Sequence, residues 1–109
     1  MKNGLQIDSY GNKRWYVNDL LHREDGPAIE YTNGDKYYYL NGKLHREDGP
    51  AFEGNDGHKD WYLNDQMHRE DGPACTYANG EKHWIFHGKQ IDVSSNEEFF
   101  RLLKLKAFW

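Results

Sequence analysis

The sequence predicts a mainly β protein made of stacked antiparallel β-hairpin repeats, about four copies of 23 residues, with a C-terminal capping α-helix. Three observations lead to this fold class. A seven-residue motif recurs at a constant spacing, 16% aromatic residues accompany 11 glycines, and an amphipathic segment breaks the repeat near the end. Because 109 residues suffice for one small core, we expect a single repeat domain over 1–109.

The repeat extends over residues 3–91. The motif His-Arg-Glu-Asp-Gly-Pro-Ala occupies 22–28, 45–51 and 68–74. Other positions share the same phase, namely Gly11, Gly34, Gly57 and Gly80, Lys13, Lys36, Lys59 and Lys82, and Trp15, Tyr38, Trp61 and Trp84. Such a period is typical of arrays in which each unit packs on its neighbours. We predict a partial first repeat over 1–10, hairpin repeats over 11–91 and a C-terminal helix over 94–109.

Two tight-turn signals punctuate each unit. Asn-Gly and Asp-Gly pairs favour the type I′ hairpin turn, because both residues tolerate positive φ. The first series is Asn33-Gly34, Asp56-Gly57 and Asn79-Gly80, and the second is Asn18-Asp19, Asn41-Gly42, Asn64-Asp65 and His87-Gly88. Each unit is therefore predicted to be a short hairpin, joined to the next through the Glu-Asp-Gly-Pro corner.

Alternation along the strands separates two faces of the predicted sheet. Lys36, Tyr38 and Leu40 point to one side, and Tyr37 and Tyr39 point to the other. The first side carries the Trp15, Tyr38, Trp61 and Trp84 positions, and we call it the Trp face and predict that it is packed. The opposite side, the Tyr face, varies between copies and is predicted to be exposed and to recognise a partner. Its predicted partner-binding residues are Arg14, Tyr16, Tyr37, Tyr39, Asp60, Tyr62 and His83.

A helix is predicted where the repeat ends. Ser95 and Glu98 have the capping-box spacing, and Phe99, Leu102 and Leu103 follow a helical stripe. An open stack of strands exposes an edge at its last unit, so we interpret this helix as a cap over that end or over the aromatic face. The alternative is that the helix docks on a partner or on a second copy. A homodimer through the helix or through a sheet edge stays open.

Charge and composition narrow the function classes. A net charge of −4 at pH 7 argues against a general nucleic-acid binder, which gains affinity from a basic face. The single cysteine, Cys75, excludes an internal disulfide framework and suits a reducing compartment. No apolar run follows Met1 and no stretch approaches ~20 apolar residues, so we expect no signal peptide, no membrane span and a cytoplasmic location.

The three His-Arg-Glu-Asp rows allow a metal or acid–base interpretation and a structural one. Metal sites and catalysis need groups that converge on one point, whereas a ladder spreads them along an axis. We favour the structural interpretation, in which each arginine pairs with carboxylates. Cys75 shares its phase with Ile29 and Phe52, which predicts a small core residue. We expect no catalytic residue, no metal ligand and no cofactor, and hence no enzyme.

The chain resembles the MORN repeat family, in a divergent variant. The resemblance is clearest at 39–45 (Tyr-Leu-Asn-Gly-Lys-Leu-His) and 61–68 (Trp-Tyr-Leu-Asn-Asp-Gln-Met-His). Arg-Glu-Asp follows the histidine where the family places glycines. The resemblance implies a hairpin-stack scaffold for protein or membrane-surface interaction, without a family-wide chemistry. Because the chain has no dense basic patch, we expect no membrane partner.

The Leu-His-Arg-Glu-Asp-Gly-Pro-Ala version resembles repeat proteins of phages and large viruses. It implies a host-encoded protein partner, a location in the host cytoplasm, and inhibition of a defence protein such as a CRISPR–Cas component. The residues themselves favour a non-enzymatic protein-binding module, since Tyr and Trp give large contact areas at low entropy cost. The alternatives are a structural scaffold, or nucleic-acid or nucleotide binding by Tyr16, Tyr39, Tyr62, Arg14 and the lysine row.

Overall fold

A computed structural model describes residues 1–105, in which short strands precede a single helix. The turn residues are closely spaced, so most strands are only two residues long. The strands are β1 (Gly4–Ile7), β2 (Lys13–Val17), β3 (Leu20–Leu21), β4 (Ile29–Glu30), β5 (Lys36–Tyr37), β6 (Tyr39–Leu40), β7 (Lys43–Leu44), β8 (Phe52–Glu53), β9 (Lys59–Asp60), β10 (Tyr62–Leu63), β11 (Gln66–Met67), β12 (Cys75–Thr76), β13 (Lys82–Phe86) and β14 (Lys89–Ile91). Helix α1 is Asn96–Leu105.

One open antiparallel sheet runs along the molecule in the order β1-β2-β4-β5-β8-β9-β12-β13-β14. The described residues measure 48 × 29 × 18 Å. An elongated shape is expected when each unit contacts mainly its neighbours along the chain. The predicted fold class, mainly β with stacked antiparallel hairpins and a C-terminal helix, is confirmed.

Each complete unit holds two hairpins rather than the one that the sequence predicts. In the second unit, β4 and β5 belong to the main sheet, while β6 and β7 form a separate two-stranded sheet. The strand is interrupted between them at Tyr38, whose N–H donates to the Ala51 carbonyl at 2.7 Å. The Tyr38 carbonyl accepts from the His45 N–H at 3.0 Å. The N–H of Tyr38 therefore binds the segment that leads into β8, and its carbonyl binds the segment that follows β7.

The turns of the second hairpins have the predicted type I′ geometry. Asn41 and Gly42 have φ values of 52° and 78°, both in the left-handed region that this turn requires. The Gly42 N–H donates to the Leu21 carbonyl at 2.8 Å. Equivalent bonds, from Asp65 to Leu44 and from Gly88 to Met67, join each later second hairpin to the one before it.

The turns of the first hairpins differ from the prediction. In the Asn33-Gly34 pair the positive φ belongs to Gly34 alone, at 100°. Its N–H donates to the Tyr31 carbonyl at 3.0 Å, and the Tyr31 N–H donates to the Asp35 carbonyl at 3.0 Å. This is the longer hairpin loop, in which a type I turn is closed by a left-handed glycine. Only the glycine position of this loop requires a positive φ, and the asparagine before it does not.

Helix α1 begins close to the predicted capping box. The Glu98 N–H donates to Ser95 Oγ at 3.2 Å, which satisfies one of the unpaired amides of the first helical turn. The predicted helix extends to 109, and positions 106–109 lie outside the described residues. Among residues 1–105, no helix is long and apolar enough to cross a membrane.

Helix α1 packs on the Trp face of the last unit. Phe99 is fully buried, and Asn96 Oδ1 accepts from Trp84 Nε1 at 2.9 Å. The cluster beneath the helix consists of Trp84, Phe86, Ile91 and Phe99, with Val93, Leu102 and Leu103 packed against it. The helix therefore covers the aromatic face at the end of the stack, as the capping interpretation predicts.

Candidate binding surface

The Tyr face is organised by strand pairing. Residues that pair directly across antiparallel strands lie on the same side of a sheet. A single row crosses seven strands, from β2 to β13, in the order Arg14, Ile29, Tyr37, Phe52, Asp60, Cys75 and His83. Four of the seven predicted partner-binding residues therefore lie in one line, although the chain separates them by 23-residue steps.

The other three predicted residues lie beside that row. Tyr16, Tyr39 and Tyr62 each follow a row residue by two positions and so project to the same face. The Tyr37 and Tyr39 rings are 6.5 Å apart, which confirms their common side. Burial raises the pKa of the Tyr39 and Tyr62 hydroxyls above the usual value, so both rings are neutral at physiological pH.

The Tyr face is more covered than the sequence predicts. All seven predicted residues are half-buried, because neighbouring rings shield one another. The rings of successive strands make a continuous series of contacts, with centroid distances between 4.6 and 5.9 Å. We call this series the aromatic row, and its members are Tyr31, Tyr37, Phe52, His58, Tyr77 and His83.

Four members of the aromatic row were missed by sequence reasoning. Tyr31 and Tyr77 share one phase of the repeat, and that phase places both at the edge of the Tyr face. Phe52 and His58 both belong to the third unit. A search for rings at every phase of the repeat would have found them, but the variable positions alone do not.

Arg14 lies next to Tyr31, at the N-terminal end of the aromatic row. Its Nη1 donates to Asp8 Oδ2 at 3.1 Å, and its guanidinium lies 5.5 Å from the Tyr31 ring centroid. The arginine is therefore paired with a carboxylate and packed on a ring. Such an arginine presents a planar stacking edge and little unpaired positive charge.

The lysine row lies on the opposite face. Lys36 is paired between Glu30 and Glu53 across the sheet, and Lys13 and Lys59 face the same two glutamates from the outer side. Alternating opposite charges across antiparallel strands stabilise the sheet. The lysines therefore follow the Trp face and do not accompany the tyrosines.

The His-Arg-Glu-Asp-Gly-Pro segments fold over the Trp face. The guanidinium of Arg46 lies 3.9 Å from the Tyr38 ring centroid, and its Nη1 donates to Glu53 at 2.8 Å and to the Pro50 carbonyl at 3.1 Å. Arg23 on Trp15 and Arg69 on Trp61 repeat this stacking at 3.8 and 3.9 Å. The prediction that the arginines pair with carboxylates is confirmed.

The glycine of each motif makes room for that arginine. A Cβ built on Gly49 would lie 2.8 Å from Cζ of Arg46, closer than real side chains approach. A larger residue would therefore push the guanidinium off the Tyr38 ring. The arginine and glycine of each motif therefore pack together with the ring in one corner, and a change in one of the three displaces the others.

The motif histidines join consecutive units. In each case a backbone N–H of the next type I′ turn donates to the imidazole Nδ1, at 2.7 to 3.0 Å. The three pairs are Asn41 with His22, Asn64 with His45, and His87 with His68. An acceptor Nδ1 carries no proton, so these bonds require neutral imidazoles. The histidines therefore act as structural links along the stack.

We expect the protein to lose stability as the pH falls below 6.5. Burial, and next the charge of His87, lower the pKa of His68 below its ordinary value of 6.5, while Glu70 acts in the opposite direction. The unfolded chain therefore binds a proton at His68 before the folded chain does. The stability that neutral His68 contributes is fully present above pH 6.5. It decreases as the pH falls from 6.5 to the lower pKa that His68 has in the folded chain.

Chemical denaturation at pH 7.5 and pH 5.5 measures this loss. The matched variant is His68→Gln, because an amide oxygen accepts the same backbone N–H without titrating. We expect a smaller decrease in stability between the two pH values in the variant than in the parent chain. Equal decreases in the two proteins would contradict the role assigned to His68.

Cys75 is buried, as the sequence predicts, and its pairing with Asp60 places it on the Tyr face. Burial, and next a hydrogen bond with Asp60, raise the pKa of its thiol to about 12. The thiol is therefore protonated at neutral pH, whereas a nucleophilic cysteine needs a lowered pKa. His58 lies beside this pair and is bonded to Asp60, a neighbourhood that arises from strand pairing.

Comparisons of the chain with protein-family models, with curated proteins and with solved structures found no match. The resemblance to MORN repeats therefore stays a prediction, and the conclusions about function rest on the geometry of the two faces.

Proposed function

We propose that the protein is a non-enzymatic protein-binding module whose Tyr face contacts a protein partner. The aromatic row is the observation that carries this proposal. It places rings side by side from Tyr31 to His83, and helix α1 and the arginine motifs pack on the other face. Surfaces of this kind are rich in the residue types that dominate protein interfaces.

The half-buried state of the tyrosines favours binding. A ring that is already held by its neighbours loses little conformational freedom when a partner covers its remaining surface. Tyr37, for example, contacts Tyr31 at 5.9 Å and Phe52 at 4.6 Å before any partner arrives. The polar residues that differ between units, Asp60 and His83 among them, are suited to provide specificity.

Nucleic-acid binding is the second candidate, because rings in series are suited to base stacking. Phosphate binding also needs cations on the same surface. Arg14 is paired with Asp8, and the lysine row follows the opposite face. The geometry therefore favours a protein over a nucleic acid. Binding that collapses between low and moderate salt would instead support the second candidate.

Alanine substitution of Tyr39 and Tyr62 together is expected to weaken partner binding by at least about thirtyfold, since one interface hot spot contributes about 2 kcal/mol or more. The control is Lys36→Ala with Lys59→Ala, which alters exposed residues of β5 and β9, the strands just before those of the two tyrosines, on the opposite face. Affinity capture from a bacterial lysate, followed by titration of the captured protein, gives the comparison.

The controls of this experiment separate folding from binding. Thermal melting reports whether the double tyrosine variant is folded, and Tyr77→Ala, at a ring that is 41% exposed, supplies a milder change on the same face. Parent-like affinity in both variants would contradict the proposal. A host defence protein as the captured partner would agree with what the phage-type resemblance implies.

A further inference from the structure

The third and fourth units depart from the repeat at three positions that meet in space where the two units adjoin. His58 takes the phase of Asn12, Asp35 and Glu81, and Asp60 takes the phase of Arg14, Tyr37 and His83. Cys75 takes the phase of Ile29 and Phe52. The neighbouring unit fills the corresponding space with the Tyr37 and Phe52 rings, 4.6 Å apart. The three departures together replace an apolar contact with a polar cluster.

The cluster is built by one strand pair. Asp60 lies on β9, and His58 precedes it by two residues, so both side chains project to the Tyr face. Cys75 on β12 pairs directly with Asp60. His58 Nε2 and Asp60 Oδ2 are 2.9 Å apart. The nitrogen, oxygen and sulfur atoms of the three side chains all lie within 4.8 Å of one another.

One acceptor in the cluster is left over. Asp60 Oδ1 is buried and has no hydrogen-bond partner of regular geometry among residues 1–105. The thiol of Cys75 interacts with this carboxylate, but an S–H group is a weak donor. A carboxylate in a row of rings is costly unless it is fully paired. A cation between the three side chains would supply the missing partner.

We propose that His58, Asp60 and Cys75 bind a zinc ion. Imidazole, carboxylate and thiolate are all zinc ligands, and the sulfur disfavours magnesium and calcium. Zinc bonds of about 2.0–2.3 Å hold tetrahedral ligand atoms roughly 3.5 Å apart, which these side chains reach by rotation from separations of up to 4.8 Å.

Zinc binding at this cluster displaces the thiol proton of Cys75 to solvent, and the sulfur then bonds to the metal as a thiolate. The proton that His58 Nε2 donates to Asp60 moves to Nδ1 by exchange with solvent, so Nε2 and the carboxylate each form a metal bond in place of the hydrogen bond between them. Three protein ligands leave the fourth tetrahedral position for water. The neighbouring Tyr77 ring, whose centroid is 4.8 Å from that of His58, is 41% exposed.

Calorimetric titration of the metal-free full chain with Zn²⁺ tests the proposal. We expect one ion per chain and a rise in melting temperature with zinc concentration, because the ion binds the folded state. Co²⁺ in place of Zn²⁺ is expected to give a thiolate charge-transfer band and tetrahedral visible bands. These measurements use the chain alone, so their outcome is independent of the proposed protein partner.

Three variants assign the site. Cys75→Ala and His58→Asn are each expected to weaken zinc binding by more than the ten- to hundredfold that loss of a supporting residue costs. His58→Asn gives the third unit the residue that the first unit has at the same phase, Asn12. This variant therefore tests the site while the packing of Cys75 stays unchanged. The control His87→Asn removes an exposed turn histidine and is expected to bind zinc like the parent.

The outcomes of this experiment are distinct. Loss of the cobalt charge-transfer band in Cys75→Ala, together with weak binding in His58→Asn, supports the site. Absence of stoichiometric binding by the parent chain would overturn the proposal. Equal zinc affinity in the parent and in His58→Asn would do the same, and would assign any observed ion to other histidines.

Discussion

Replacing Phe99 with alanine is expected to lower the free energy of unfolding by about 3–5 kcal/mol. Phe99 is fully buried and is the largest side chain with that degree of burial among residues 1–105. Its removal leaves a cavity between α1 and the Trp84 and Phe86 rings, in the cluster that attaches the helix to the sheet. A small domain cannot repack such a cavity without moving the helix.

Urea denaturation monitored by tryptophan fluorescence measures this effect, because Trp84 lies in the affected cluster. The matched control is Phe100→Ala, since the adjacent ring is 40% exposed and does not belong to the cluster beneath the helix. We expect the control to change stability far less than Phe99→Ala. Equal effects at the two positions would contradict the packing of α1 on the Trp face.

The repeat explains how much of the fold is predictable. A motif that recurs at a fixed spacing locates the units, and left-handed residues such as Asn41 and Gly42 locate the turns of the second hairpins. The first hairpins were predicted with the wrong turn, because an Asn-Gly pair is compatible with two loop types. The choice between them depends on the bonds that Tyr31 makes across the loop, which sequence does not reveal.

The Arg46 stacking on Tyr38 shows a second limit. Sequence reasoning pairs the arginine with carboxylates nearby, and it finds those pairs correctly. It does not identify the ring, because contact across the corner depends on the path of the chain through Gly49. In the last unit, Asp92 stands at the phase that arginine has in the earlier units, so no motif arginine stacks on Trp84. Helix α1 covers the Trp84 ring in its place.

The candidate surfaces show the same division. Alternation along the strands is a local property, so it assigns Tyr37 and Tyr39 to one face correctly. Exposure is set by rings from other strands, and the sequence therefore overestimates the exposure of the Tyr face. The cluster of His58, Asp60 and Cys75 escapes notice for a similar reason, because its cysteine comes from the next strand of the sheet.

Replacing Trp61 with alanine is expected to lower the free energy of unfolding by about 3 kcal/mol, the lower end of the range for large aromatic residues, because Trp61 is half-buried. The ring supports Arg69 at 3.9 Å, and Arg69 in turn bonds Asp71 at 2.6 Å and the Pro73 carbonyl at 3.2 Å. Loss of the ring therefore loosens the whole corner that joins the third unit to the fourth.

The position of Trp61 in the stack makes the effect global. In an array held by contacts between neighbours, a weakened interior unit lowers the cooperativity of unfolding as well as its free energy. Denaturant titration measures both quantities, as a shift of the midpoint and a lower slope. Tyr10→Ala is the control, because that ring is 82% exposed and surface changes stay within about 0.5 kcal/mol. A loss below about 1 kcal/mol in Trp61→Ala would mean that the arginine corner stands without its ring, and that the Trp face is not the packed side of the sheet.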